Sequence, residues 1–417
     1  MPGYRYLIVG GGMTADAACR GIRDHDSDGS IGLVGAEQHP PYARPPLSKA
    51  LWAGQSEDSI WRGTEELGVE LHLGRTIVRL DLDGRTATDD QGESYAYERL
   101  LLATGGSPRR LPSSPEGAVY YRTYDDYGRL RQQAGEDFRV VVVGGGFIGS
   151  EIAAALSTNG CSVTMLFPEP GIGSRLFPSE LATFVNEYYR SKGVDVLAEE
   201  LVASIEGEGD AFRVQTQGGR MLEADAVVLG LGIVPATDLA EAAGLDVDDG
   251  ILVDDRGRAG GREDVFAAGD VARFPVPALG GARRVEHEDH ANTHGRHVGA
   301  NMAGADSPYD HLPFFYSDLF ELGYEAVGDV DSRLETIADW EEPNRKGVVC
   351  YLEQGKPRGF LLWDVWGKVD AARELITAAE RVDTASLRAL LALSVLTSDV
   401  GATRRGRTSR ACSPGTR

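Results

Sequence analysis

One short motif occurs twice in this chain, and it limits what the chain can fold into more than any other feature. Residues 6–15 read Tyr-Leu-Ile-Val-Gly-Gly-Gly-Met-Thr-Ala, and residues 139–151 read Arg-Val-Val-Val-Val-Gly-Gly-Gly-Phe-Ile-Gly-Ser-Glu. Each begins with an apolar run of the kind that forms a parallel strand buried on both faces. Glycines follow at once. Gly10 and Gly12, with Gly11 between them and Thr14 beyond, let the backbone turn tightly and come close to a pyrophosphate. Ala15 is the third small residue, where the next helix packs on the strand. In the second copy Gly144, Gly146 and Gly149 fill all three positions. A strand, a Gly-x-Gly-x-x-Gly/Ala turn and a helix form a dinucleotide fingerprint, with the phosphates at the free N–H groups of the helix N-terminus.

The 417 residues suffice for two or three domains with sizeable cores. At 42% hydrophobic and 25% charged, the composition is that of an ordinary globular protein. No run reaches the ~18 apolar residues of a membrane helix, and no signal-peptide pattern precedes the first strand, so a cytoplasmic location is expected. The net charge of −22 argues against nucleic acid or an anionic membrane as partner. Cys19, Cys161, Cys350 and Cys412 form neither a Cys-x-x-Cys pair nor a metal-ligand spacing.

Taken in order, Ala15 to Arg23 reads as a helix and Ile31 to Val34 as a second strand. Glu37 lies just beyond it, where an acid binds ribose hydroxyls; the plain alternative is a solvated loop Glu. In Pro40-Pro-Tyr-Ala-Arg-Pro-Pro-Leu-Ser-Lys-Ala-Leu-Trp52 the prolines Pro45 and Pro46 fix φ. They place Arg44 and Lys49 on a stiff corner near the first cofactor, unless both are surface charges. Val69–Leu73 and Ile77–Leu82 read as strands, and 84–92 as a hairpin. Leu100-Leu-Ala-Thr-Gly-Gly-Ser-Pro108 brings Thr104 and Gly105 to the point where flavoproteins with two dinucleotide folds leave the first one.

In the second unit, a helix (Ser150–Asn159) and a strand (Ser162–Phe167) lead to Glu169. This acid suits the adenosine ribose of NADH. It repels the extra phosphate of NADPH, a juxtaposition costing on the order of several kcal/mol; Arg175, six residues on, softens the preference. Residues 226–235, with Gly232, close the unit. Asp264-Val-Phe-Ala-Ala-Gly-Asp270 then returns to the first fold, where Gly269 and Asp270 suit the FAD ribitol. Residues 285–295 open a helix that runs past Met302. Its N-terminus, with Glu286 and His287, is expected to face the flavin pyrimidine ring, a placement worth up to ~2 kcal/mol toward an anionic reduced ring. His287, His290, His294, His297 and His311 cluster here. Metal binding at 290, 294 and 297 is conceivable from the helical spacing, but packing and polar surface account for most of them, and no metal is assigned. From Leu312 the pattern changes to short strands (314–320, 324–328, 347–352, 359–363) and two helices (369–379, 385–393). Residues 397–417, with five Arg against one Asp, read as a disordered basic tail.

These segments together resemble apoptosis-inducing factor and its bacterial relatives, within the ferredoxin/rubredoxin reductase flavoproteins. The resemblance is carried by Pro-Pro-Tyr-Ala-Arg-Pro-Pro-Leu-Ser-Lys-Ala-Leu-Trp, Ala-Thr-Gly-Gly-Ser-Pro-Arg, Gly-Gly-Gly-Phe-Ile-Gly-Ser-Glu, Leu-Phe-Pro-Glu, Val-Glu-His-Glu-Asp-His-Ala and Ser-Asp-Leu-Phe-Glu-Leu-Gly-Tyr-Glu-Ala-Val-Gly, from about Tyr4 to Leu393. It implies that Arg44 contacts the FAD phosphates. It implies that Lys49, paired with Glu151, sits near flavin N5, and that Phe147 covers the nicotinamide face with Ile148 beside it. Arg131 and Val78 become adenine-side FAD contacts, and Gly232 and Glu286 touch the nicotinamide half. Tyr316 falls where apoptosis-inducing factor carries a Trp, and Ala36 replaces its acidic ribose ligand, leaving Glu37 as the substitute. A long insert of that family is reduced here to about 335–346.

The fold expected is α/β: two nested Rossmann-like dinucleotide-binding domains and a small α+β C-terminal domain. The boundaries read as 1–120 with 245–311 for FAD, 121–244 for NAD(H), and 312–396 for the third. The implied function is an FAD-dependent oxidoreductase that takes hydride from NADH and passes electrons to a ferredoxin or rubredoxin, a quinone or oxygen, without a redox-active disulfide. The alternative is a redox-gated, NADH-responsive interaction protein with slow turnover. An iron–sulfur protein partner and a homodimer are the associations to test.

Overall fold

A computed structural model describes residues 1–208 and 211–392. The expected basic tail, the end of the last helix at Leu393 and Cys412 lie outside the described residues.

The first lobe is built on a seven-stranded sheet in the order Val69–Leu73, Ile31–Gly35, Gly3–Val9, Ser94–Leu102, Thr86–Asp89, Ile77–Asp81, with Val265–Ala267 also paired to Ser94–Leu102. The strands beside Gly3–Val9 run parallel to it, while the hairpin at 77–89 is antiparallel. That last strand comes from far along the chain, and its register (Val265 opposite Leu100) shows the chain rejoining the sheet it left. The first helix, Met13–Arg23, starts two residues earlier than expected because it begins directly after the glycine turn. It crosses the long helix Glu288–Met302 at very short range. A Cβ on Gly21 would fall 1.9 Å from the Arg296 carbonyl, and one on Gly299 would fall 2.1 Å from that of Ala18.

The second lobe repeats the plan on a smaller scale. A four-stranded parallel sheet has the order Asp195–Ala198, Ser162–Phe167, Arg139–Val143, Ala226–Leu229. It carries the helix Phe147–Thr158 and an unforeseen helix, Ser179–Ser191. A second unforeseen helix, Tyr124–Gln133, starts in a capping box of Thr123 and Asp126. An antiparallel trio, Val202–Glu208, Ala211–Thr216 and Met221–Ala224, was also not anticipated. The two passages between lobes, Gly106–Pro108 and Ile233–Pro235, pair with each other as an antiparallel ribbon.

The third lobe is a five-stranded antiparallel sheet, Phe314–Leu319, Leu322–Gly328, Lys356–Trp363, Lys346–Glu353, Glu335–Glu342, backed by the helices Val369–Ala378 and Thr384–Ala392. Residues 335–342, expected to be the remnant of an insert, form its edge strand. One apolar cluster joins all three lobes: Leu47, Leu51 and Trp52 from the first, Ile152 and Leu156 from the second, Phe315, Tyr324 and Trp363 from the third. Burying such side chains is worth about 1.5–3 kcal/mol each, so the lobes are held where they meet. No helix among the described residues is long and apolar enough to cross a membrane.

Candidate functional site: a cleft shared by two glycine turns

The two turns are built alike. Gly10 N–H donates to Val34 O on the neighbouring strand (2.8 Å), and Gly144 N–H donates to Leu166 O (2.9 Å). Both glycines have positive φ, +127° and +118°. A Cβ on Gly10 would lie 2.1 Å from Ala103 O, and one on Gly144 would lie 2.3 Å from Gly230 O. No other residue fits either place. Gly12 and Gly146 are the N-caps of the two helices; neither has a side-chain cap, and the space a Cβ would fill is open. Each helix therefore presents its first-turn N–H groups to an uncluttered hollow, the arrangement that binds a pyrophosphate. The residues fit two dinucleotides on this observation alone.

Both hollows open onto one cleft of about 1670 Å³. From the first lobe it is lined by Gly10, Gly11, Gly12, Thr14, Glu37, Arg44, Lys49, Thr104, Gly105, Asp270, Glu286 and His287. The second lobe supplies Gly144, Gly146, Phe147, Ile148, Glu151, Glu169, Arg175 and Gly232, and the third Tyr316. Gly149 and Gly269 act one layer back. A Cβ on Gly149 would lie 2.0 Å from Gly144 O, and one on Gly269 would lie 2.2 Å from the Thr14 hydroxyl. Both glycines let lining residues sit where they do.

Two expected contacts are elsewhere. Val78 turns outward, 57% exposed, while Arg75, Thr76 and Ile77 beside it line the cleft. Arg131 stacks on Trp52 (5.2 Å to the ring centroid) and donates to Asn159 Oδ1 at 2.8 Å, and is absent from the lining. A helical Arg at that distance from the turn serves the packing of the lobes.

At the end of the second strand Glu37 accepts from the Tyr42 hydroxyl (2.6 Å) and from Arg44 (2.5 Å). Arg44 also donates to Arg122 O (2.9 Å). Arg122, which no motif announces, reaches Asp270 at 3.5 Å. Burial, and then the neighbouring Arg44 charge, lower its pKa. In the second lobe the equivalent acid, Glu169, pairs with Arg175 at 2.5 Å, and Arg175 is 84% exposed.

The three lobes converge around Lys49. Its ammonium pairs with Glu151 and lies 5.5 Å from the Tyr316 ring centroid. Tyr316 donates to Glu288 at 2.7 Å. Glu151 also accepts from Ser48 and Ser317, each at 2.6 Å. Phe147 meets His287 edge-on (5.5 Å) and Phe315 edge-on (5.4 Å), while His287 stacks on Phe315 (4.3 Å). Burial lowers the His287 pKa to about 4, so the ring is neutral near pH 7. His287 is the N-cap of Glu288–Met302. Burial raises the Glu286 pKa, against the opposing pull of Arg284, with which it pairs.

Of the remaining helical histidines, His290 and His294 are buried and His297 is half-buried. His290 stacks on Phe274 (4.5 Å) and on His294 (4.6 Å), and His297 Nε2–H donates to Ser307 O at 2.8 Å. Among the described residues, no group of three or more His, Cys, Asp or Glu side chains is arranged to hold a metal ion. Cys19, Cys161 and Cys350 are buried and unpaired, and none lines the cleft.

A family model described as pyridine nucleotide-disulphide oxidoreductase matches residues 4–295, and one described as the C-terminal part of mitochondrion-associated apoptosis-inducing factor matches residues 298–345. The chain is 33% identical over 424 residues to apoptosis-inducing factor 1, mitochondrial, of Dictyostelium discoideum, covering 91% of this chain and 79% of that one. It is 33% identical over 393 residues to monodehydroascorbate reductase 3 of Arabidopsis thaliana, covering 86% and 89%. The fold is similar to putidaredoxin reductase in its covalent complex with putidaredoxin, with a TM-score of 0.85 and 29% identity over 92% of this chain and 95% of that chain.

Proposed function

Since the chain belongs to the pyridine nucleotide-disulphide oxidoreductase family and is an FAD-dependent NAD(P)H oxidoreductase, we propose that it draws hydride from NADH and passes the electrons, with no intervening dithiol, to a ferredoxin-type iron–sulfur protein. Bound FAD supplies the hydride acceptor and the store of electrons. The protein's share is binding, alignment and the exclusion of water. Gly10–Gly12, Thr14, Arg44 and Asp270 would hold FAD, with Glu37 on its ribose. Gly144, Gly146 and Glu169 would hold NADH, with Gly232 toward its nicotinamide half. We assign 1–120 with 245–311 to the FAD unit, 121–244 to the NADH unit and 312–396 to the third domain.

The observation that carries this reading is the Lys49–Glu151 pair in the one cleft that both glycine turns open into. Lys49 is a fixed cation in surroundings where a charge acts strongly, because it is 11% exposed. Phe147, packed edge-on against His287 and Phe315, would cover the nicotinamide face of the flavin and move aside for NADH. Glu169 favours NADH because its carboxylate meets ribose hydroxyls well and a phosphate badly. The choice of acceptor is supported by a neighbour solved in complex with putidaredoxin. A soluble acceptor of this kind suits a cytoplasmic setting.

Anaerobic mixing of the flavin-loaded protein with NADH tests the reading. The flavin absorbance is expected to bleach, faster with NADH than with NADPH, and ferredoxin to restore it in a salt-dependent manner. A flavin that neither nucleotide bleaches would overturn it. The match of residues 298–345 to the apoptosis-inducing factor segment favours a second reading, a slow enzyme whose reduced form changes its partners or dimerises. Slow reoxidation in air with an NADH-dependent increase in size by light scattering would select it over the first.

A further inference from the structure

Glu151 receives hydrogen-bond donors from more than one lobe. Lys49 and Ser48 belong to the first, Glu151 itself to the second, and Ser317 to the opening strand of the third. Ser48 donates to Oε2 and Ser317 to Oε1, while Lys49 pairs with Oε1. The carboxylate is 5% exposed and Ser317 is fully buried. Ser317 sits opposite Tyr324 in the strand register, and Tyr324 belongs to the cluster that joins the lobes.

A buried hydroxyl without a partner costs more than an apolar side chain of the same size. Alanine would fill this place in the sheet if packing were its whole purpose. The hydroxyl is instead directed at the one charged group that Lys49 depends on. Hydrogen bonds to an ionised acceptor are roughly twice as strong as neutral ones, and two of them, from separate rigid elements, stop the carboxylate from rotating. We propose that Ser317 is a positioning residue for flavin reduction: it fixes the Glu151 carboxylate, which fixes the Lys49 ammonium. The third lobe thereby sets the rate of a step whose cofactors are both bound by the other two. This rests on the reading that Lys49 and Glu151 face the reacting ends of the cofactors.

The test uses the FAD-loaded full chain as wild type, Ser317→Ala, Ser317→Thr and Ser48→Ala. Three quantities are measured: the limiting anaerobic reduction rate at saturating NADH, the NADH dissociation constant, and the flavin midpoint potential by dye equilibration with dithionite. Ser317→Ala is expected to lower the limiting rate about tenfold and to make the potential more negative, because a donor is lost beside a buried negative charge. NADH affinity stays within about twofold, since nothing that binds the nucleotide has changed. Ser48→Ala shifts rate and potential in the same direction. Ser317→Thr keeps the hydroxyl and recovers most of the rate.

An unchanged rate and potential in Ser317→Ala would overturn the assignment. So would a loss confined to NADH affinity or FAD content, or a folded, FAD-loaded Thr variant as slow as the Ala variant. A wild-type flavin that NADH leaves oxidised refutes the enzymatic reading instead, and the two dithionite-measured potentials then still decide whether the hydrogen bond acts on the flavin.

Discussion

Ala15 and Gly149 occupy the same place in two turns that are otherwise superimposable in their logic. In the second lobe a Cβ at position 149 would lie 2.0 Å from the Gly144 carbonyl, so the helix is pressed onto its own turn. In the first lobe Ala15 is fully buried and carries that Cβ. The tight approach has moved to the outer side of the same helix. There Gly21, Gly295 and Gly299 bring Met13–Arg23 and Glu288–Met302 together backbone to backbone. The second lobe closes its nucleotide turn with local chain, and the first closes it with a helix nearly three hundred residues away. The lesson is that a shared fingerprint does not imply a shared source of rigidity.

This contrast can be broken most sharply at Gly149. Gly149→Ala forces the helix off the turn, and a displacement of about 1 Å costs about 100-fold. NADH-dependent bleaching should fall by about that factor with FAD still bound. The reciprocal change, Ala15→Gly, should cost no more than about 1 kcal/mol of stability, read as a small loss in urea midpoint with full flavin occupancy. Equal effects from the two substitutions would mean that the turns are not rigidified differently.

Next in size is Gly299→Ala. In an ordinary helix this change gains up to about 1 kcal/mol. Here the Ala18 backbone stands in the way, and a net loss of about 1–3 kcal/mol is expected, with weakened FAD retention and unchanged NADH affinity in the protein that remains loaded.

Acid should also separate the lobes. All eight histidines lie outside 121–244. Burial holds His287 near pKa 4 and His294 near 3, against 6.5 for an unburied ring, with His290 also well below it. The unfolded chain therefore binds more protons below pH 6.5, and the stability due to the neutral rings is present above that pH and lost as the pH falls toward 4. For His287 the loss is about 2 kcal/mol by pH 5. Hydrogen exchange, corrected for intrinsic rate, should show Glu288–Met302 losing protection between pH 7.5 and pH 5 while Phe147–Thr158 keeps it.

The smallest change in catalysis is expected at the acids that end the second strands. Glu169→Ala should move the NADH-to-NADPH preference about tenfold, or ~1.4 kcal/mol, toward NADPH. Glu37→Ala should leave that preference alone and weaken FAD binding only.

How far the sequence could be read depended on how local the determinant is. Gly10 and Gly144 were legible because a positive φ is a demand on a single residue, announced by the strand before it. That Glu37 and Glu169 would line the cleft was legible because they stand a fixed distance along one βαβ unit. The edge strand Glu335–Glu342 was not, since its alternation is mostly polar and an edge strand needs no apolar run. Val78 and Arg131 were carried over by resemblance, and chain position alone does not tell which of two neighbouring residues turns inward. Ser48 and Ser317 were invisible for a different reason. They matter only through Glu151, and nothing in three separated segments says that they meet.

Gly106–Pro108 and Ile233–Pro235 lie side by side, so the chain enters and leaves the inserted lobe through a single doorway. Everything between them is a cassette. A relative's segment spliced in at those two triplets would disturb no other covalent junction, and it would bring its own partners for Lys49 and Asp270 in place of Glu151 and Arg122.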